Sequence, residues 1–150
     1  MKAGDVMSTG AATIGPDASL ADAARLMTQH RISGLPVVDA EGRPVGMITE
    51  HDFLRRPNGQ RPRWFDVLLA EDGAQITARA LGDAHVRDVM TAPPICVGVE
   101  TDVEELVAAM QRHNVRRVPV LAHGKIVGIV SRANLLQALV RRTDETSEGG

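Results

Sequence analysis

Aromatic residues are nearly missing from this chain: Phe53, Trp64 and Phe65 are the whole set, 2% of 150 residues, and there is no tyrosine. A packed interior must therefore come from Val, Ile, Leu, Met and Ala, which the 43% apolar content can supply. Cysteine is reduced to Cys96, which excludes an internal disulfide framework and any multi-cysteine metal site. In the apolar stretch "ICVGV", Cys96 reads as a buried small hydrophobe. No charge sign dominates: 17 basic residues face 19 acidic ones, for a net charge of −2. With no aromatic-basic platform either, nucleic acid is not an expected partner. No apolar run approaches the about 18 residues of a membrane span. The opening "MKAGDVMSTG" has no apolar signal core. A cytoplasmic protein with no membrane partner is expected. The polar tail from Thr143 to Gly150 is expected to fray. No nucleophile–base or paired-carboxylate constellation is visible, so no enzyme is expected.

What is present is a repeat. Asp5-Val6-Met7 recurs as Asp88-Val89-Met90, an offset of 83 residues that also relates Met27 to Met110, His30 to His113 and Pro36-Val37 to Pro119-Val120. One residue is then lost in a turn. An offset of 82 pairs Gly42 with Gly124, Val45-Gly46 with Val127-Gly128, and Leu54 with Leu136. The expected organisation is repeat 1 at 1–56, a partly helical connector at 57–85, repeat 2 at 86–142 and a disordered tail at 143–150. Trp64, Phe65, Leu68 and Leu69 of the connector are expected to pack onto the repeats.

Each copy reads as strand, helix, hairpin, helix. Short apolar strands at "ATIG" and "ICVG" come first. Ser19 with Asp22 three residues on forms a helix-start pattern, and Leu20, Ala23, Ala24 and Met27 follow at helical spacing. "LPVVD" and "PVGMIT" around the turn "AEG" predict a hairpin, and "EHDFLRR" starts another helix. One such unit buries too little surface to stand alone. The fold class expected is α/β (α+β): two β-α-β-β-α repeats packed face to face with pseudo-twofold symmetry, a cleft forming where related elements meet.

The "DVM" openings, "HRISGLPVVD" and "HNVRRVPVL", and the phrases "GMITEHD" and "GIVSRAN" together resemble the cystathionine-β-synthase (CBS) domain, and the whole chain resembles a tandem CBS pair. The resemblance implies a regulatory module that binds an adenosine-containing ligand between repeats. In a first site, Asp52 and Thr49 would hold the ribose and Met47 the adenine. Arg116, Arg117 and Arg132 would meet phosphate, with Val115, Ile95 and Pro93 completing the lining. AMP, ADP or ATP fits best, NAD shares the adenosine moiety, and S-adenosylmethionine leaves the arginines without phosphate. A homodimer and a regulated partner in trans are also implied.

The second site departs from this pattern. Asn134 stands in place of the Asp, and an amide has a single acceptor oxygen. Around it the resemblance puts Ser131, Ile129, Ile32, Ser33, Gly34 and Ala12, with Glu50 where the other copy has Arg132. This site is expected to be degraded or repurposed. Two plainer readings stand beside these. Thr-x-x-Asp and Ser-x-x-Asn are also helix-start patterns, and Arg116-Arg117 would equally suit a solvated strand edge. A non-catalytic oligomerisation module with vestigial sites is the alternative function.

Overall fold

The computed structural model describes residues 1–54 and 84–148. Most of the connector, with Trp64, Phe65, Leu68 and Leu69, lies outside the described residues. The chain divides into two compact units that cut across the sequence repeats. One contains Met1–Ala11 and Ile95–Gly150, the other Ala12–Pro94. Each unit therefore combines the body of one repeat with the "DVM" opening of the other copy.

In the unit Ala12–Pro94 the elements are α2 (Leu20–His30), β1 (Gly34–Val38), β2 (Pro44–Thr49), α3 (Glu50–Leu54) and α4 (Val86–Val89). Helix α2 starts as its sequence dictates: the Ser19 hydroxyl accepts the Asp22 amide at 3.1 Å. It ends with Arg31 in the left-handed conformation, φ 53°. Strands β1 and β2 pair antiparallel, Gly34 opposite Thr49. Their turn is held by Asp39, whose Oδ1 accepts the amides of Glu41 and Arg43, both at 2.9 Å. The core is Ile14, Leu20, Ala23, Met27, Leu35, Val37, Ile48 and Val86.

The other unit holds α1 (Ala3–Val6), β3 (Val97–Gly98), α5 (Val103–Arg112), β4 (Arg117–Ala122), β5 (Lys125–Ser131) and α6 (Arg132–Glu148). Its sheet runs β3-β4-β5, with β3 parallel to β4 and β4 antiparallel to β5. Ala3, Val6, Leu106, Met110, Val118, Val120, Val130 and Ala138 form its core. The hairpin turn here is only His123-Gly124, both at positive φ (55° and 78°), between the paired residues Ala122 and Lys125. This shorter turn is the physical origin of the change in repeat offset.

Two expectations are corrected. The strand at "ATIG" shrinks to a single parallel bridge, Ile14 with Val37. Only Ile14 bonds to β1, donating to the Pro36 carbonyl at 3.1 Å and accepting from Val38 at 2.9 Å, before Pro16 ends the run. Cys96 is half-buried instead of buried. That is still enough desolvation to push its thiol up to about 11.

Two glycines explain how the openings dock. A Cβ on Gly46 would lie 2.7 Å from the Met90 sulfur and 3.0 Å from the Thr91 carbonyl oxygen. On Gly128 it would lie 2.5 Å from the Met7 sulfur and 2.8 Å from the Ser8 carbonyl oxygen. The glycine that begins each repeated phrase is the space into which a "DVM" segment fits. Backbone bridges Met47–Thr91 and Ser8–Ile129 lock the fit in the two units.

Candidate functional site

Asp52 and Asn134 are the buried polar side chains among the described residues, 3% and 9% exposed. Each sits three residues beyond the end of its hairpin, one helical turn past Thr49 or Ser131. The Thr49 amide donates to Asp52 Oδ2 at 2.7 Å, and the Thr49 hydroxyl reaches the same oxygen at 3.3 Å. The Thr91 hydroxyl donates to Asp52 Oδ1 at 3.1 Å. A carboxylate has about four lone-pair sites, and at least three are engaged here. The amide bond is short, as expected for a charged acceptor. Both hydroxyl bonds are longer than the roughly 2.7–2.8 Å typical of O–H···O. They are the weak and exchangeable partners.

At the other corner, Asn134 Oδ1 accepts the Ser131 amide at 2.8 Å and the Ser131 hydroxyl at 2.9 Å. A backbone amide can only donate, so the amide oxygen must face Ser131 and the nitrogen must face away. That nitrogen donates to the Ser8 hydroxyl oxygen at 2.8 Å. Ser8 and Thr91 are equivalent positions, each following a "DVM". The change from Asp to Asn therefore reverses one hydrogen bond. Thr91 gives its proton to Asp52, whereas Ser8 takes one from Asn134 and keeps its own hydrogen for another acceptor. The first corner is an acceptor and the second presents donors.

Both corners are helix starts as well as candidate sites, and the bonds from Thr49 and Ser131 serve α3 and α6 in that role. Thr91 and Ser8 were not singled out from sequence. Their signal was the hydroxyl residue that follows both copies of "DVM".

The remaining expected residues divide between the units. Met47 and Pro93 lie with Asp52 and Thr49 in the unit Ala12–Pro94, which also contains Ala12, Ile32, Ser33 and Gly34. Ile95, Val115, Arg116, Arg117, Arg132, Ile129, Ser131 and Asn134 lie in the other. Within that unit Arg117 pairs with Ser131 across β4 and β5, and the Arg132 amide donates to the Arg116 carbonyl at 3.3 Å. The three arginines therefore gather at one hairpin end. The equivalent end elsewhere has Ser33 and Gly34 facing Thr49 and Glu50, and the Glu50 amide donates to the Ser33 carbonyl at 3.0 Å. One end is cationic and the other carries an acid. Among the described residues, no group of three His, Cys, Asp or Glu could hold a metal ion, and no helix is long and apolar enough to cross a membrane.

Paired α+β repeats, each with a polar corner completed by the other copy's opening, define a tandem-repeat domain pair. The chain belongs to the CBS domain family, whose model matches residues 3–59 and 86–141. It is similar to the CBS domain-containing protein YhcV of Bacillus subtilis, 29% identical over 131 residues, covering 87% of this chain and 80% of that protein. It is also similar to the chloroplastic CBS domain-containing protein CBSX1 of Arabidopsis thaliana, 27% identical over 136 residues, covering 84% of this chain. The chain spans 58% of CBSX1's length. Among solved structures, CBSX2 of Arabidopsis thaliana in complex with AMP superposes with a TM-score of 0.72 at 27% identity, covering 93% of this chain and 97% of that one.

Proposed function

We propose that the protein is a non-catalytic regulatory module that senses an adenosine-containing ligand: AMP, ADP or ATP, with NAD as a further ligand of the same class. The observation that carries this reading is the buried Asp52 carboxylate, held by one short amide bond and two long hydroxyl bonds. A ribose diol supplies two O–H donors that can replace the Thr49 and Thr91 hydroxyls, leaving the amide bond in place. Met47 beside Thr91 meets the adenine, and Val115, Ile95 and Pro93 belong to the same site. Arg116, Arg117 and Arg132 take the phosphates, for which guanidinium is well shaped. The AMP complex of CBSX2 supports an adenosine ligand at this level of similarity. At the Asn134 corner, with Ser131, Ile129, Ile32, Ser33, Gly34 and Ala12, the missing acceptor and the acid at Glu50 oppose a nucleotide.

Binding regulates only where it changes the balance between two states of the module and a partner prefers one of them. Here that partner acts in trans. The reading is tested by thermal unfolding with AMP, ADP, ATP, NAD, S-adenosylmethionine and adenosine at about 1 mM. A ligand at 100 times its dissociation constant stabilises by about 2.7 kcal/mol, a rise of a few degrees for a chain this long. A selective rise is expected, and no rise with any ligand would contradict the reading.

A second reading, an oligomerisation module, is favoured by one surface. Leu136, Leu139 and Val140 on α6 are 64%, 63% and 59% exposed and share one helical stripe. A homodimer through this stripe predicts that Leu139→Arg yields a monomer in sedimentation. A wild-type monomer at high concentration would remove it.

A further inference from the structure

Beside the Asn134 corner runs a groove of about 650 Å³ that the sensing reading does not use. Its lining includes Ser8 and Asn134 with Gln137 and Arg141, and on the apolar side Met7 and Val140. Its volume lies within the roughly 300–1,000 Å³ of small-molecule sites. Asn134, Gln137 and Arg141 are spaced three and four residues apart on α6, so they share one face of that helix.

All four polar groups can donate. Asn134 uses one amide hydrogen on Ser8 and retains the other. Ser8 accepts that bond, so its own hydroxyl hydrogen remains available. Gln137 and Arg141 make no side-chain hydrogen bond or ion pair among the described residues, and Arg141 brings a guanidinium cation. The single acid in the lining is Asp5, whose Oδ2 accepts the Lys2 amide at 2.8 Å. A wall of donors with one guanidinium, facing aliphatic and thioether carbon, is complementary to an acceptor-rich anion with an apolar body.

We propose that this groove binds an oxyanion, a carboxylate or a phosphate monoester, carried on a short apolar chain. The replacement of Asp by Asn is then a change of ligand chemistry: the position that accepts hydroxyls in the Asp52 corner donates in this one, and Ser8, which accepts from Asn134, has its own hydroxyl hydrogen left to donate toward an anion. The proposal goes beyond the adenosine reading and does not depend on it.

The test is an amide and side-chain NMR titration of the full chain with hexyl phosphate, hexanoate, hexanol and inorganic phosphate, with no nucleotide present. Saturable shifts are expected at Ser8, Gln137, Arg141 and the Asn134 side-chain amide with hexyl phosphate, hexanoate or both, and the stronger of the two names the anion. Hexanol, which has the chain without the charge, and inorganic phosphate, which has the charge without the chain, should bind at least about tenfold more weakly. Arg141→Gln, at an exposed position, should weaken the anion about tenfold, and Asp5→Asn should tighten it. The proposal is overturned by the absence of saturable shifts, or by shifts confined to Arg116, Arg117 and Arg132. Affinity unchanged in Arg141→Gln, or weakened in Asp5→Asn, would overturn it equally. Anion binding with no response to AMP in a separate titration would leave the groove standing and remove the sensing reading.

Discussion

At the scale of single residues, the difference between Asp52 and Asn134 is one of hydrogen-bond direction. Asn134→Asp should restore the acceptor, allow Ser8 to donate as Thr91 does, and create or strengthen a second nucleotide-binding event. Calorimetric stoichiometry rising above one per chain is the expected outcome, and a value fixed at one would count against the assignment of polarity. Arg116→Ala with Arg117→Ala should weaken ATP and AMP by about tenfold or more while changing adenosine little, because each lost charge-assisted bond is worth about 1.5–3 kcal/mol. An equal loss for all three ligands would remove the arginines from the phosphate role. Cys96 supplies a pH test. Its folded value of about 11 lies above the ordinary 9.0, so its favourable contribution is complete below pH 9 and fades as pH rises toward 11. Its reaction with a disulfide reagent at pH 8 should be far slower than that of unfolded chain, and Cys96→Ala should flatten the alkaline limb of a stability profile.

At the scale of elements, much was legible in the sequence and the gaps have a common cause. Helix α2, its Ser19 cap and strand β2 follow from local pattern, because each depends on residues three or four apart. The Thr49–Asp52 corner was legible for the same reason. Thr91 meets Asp52 across 39 residues of chain, and Ser8 meets Asn134 across 126. No periodicity reports such pairings. The reduction of "ATIG" to one bridge was equally hidden, since it depends on how far Ile14 can follow β1 before Pro16. The docking of each opening against a glycine gives a direct test. Gly128→Ala places a methyl 2.8 Å from the Ser8 carbonyl, a backbone atom, whereas Gly46→Ala has 3.0 Å to the Thr91 carbonyl. Both should destabilise by about 1–3 kcal/mol, Gly128→Ala by more, as overpacking at a rigid contact does. Urea unfolding midpoints measure the order. Asp39 tests the turn: the Arg43 and Glu41 amides hold its carboxyl below the ordinary 3.8. Its contribution is present above that value and is lost as pH falls through the lower folded one, and Asp39→Asn should remove that part of the acid limb.

At the scale of the whole molecule, a duplication has been used asymmetrically. The two units share a hairpin, a helix that precedes it and a docked opening. Chemistry has diverged at the ends of the hairpins: Arg116, Arg117 and Arg132 at one, Ser33, Gly34 and Glu50 at the other, with Asn134 and Asp52 as the buried groups. Under the proposed function, one corner binds the nucleotide and the other is free to change. The measurement that tests this most directly is isothermal titration of AMP and ATP into the wild type and into Asp52→Ala, with unfolding of both proteins followed to show that the variant is folded. The account predicts one site per chain in the wild type and an affinity loss of at least about tenfold in folded Asp52→Ala. Unchanged affinity in that variant would place the site elsewhere and contradict the central claim.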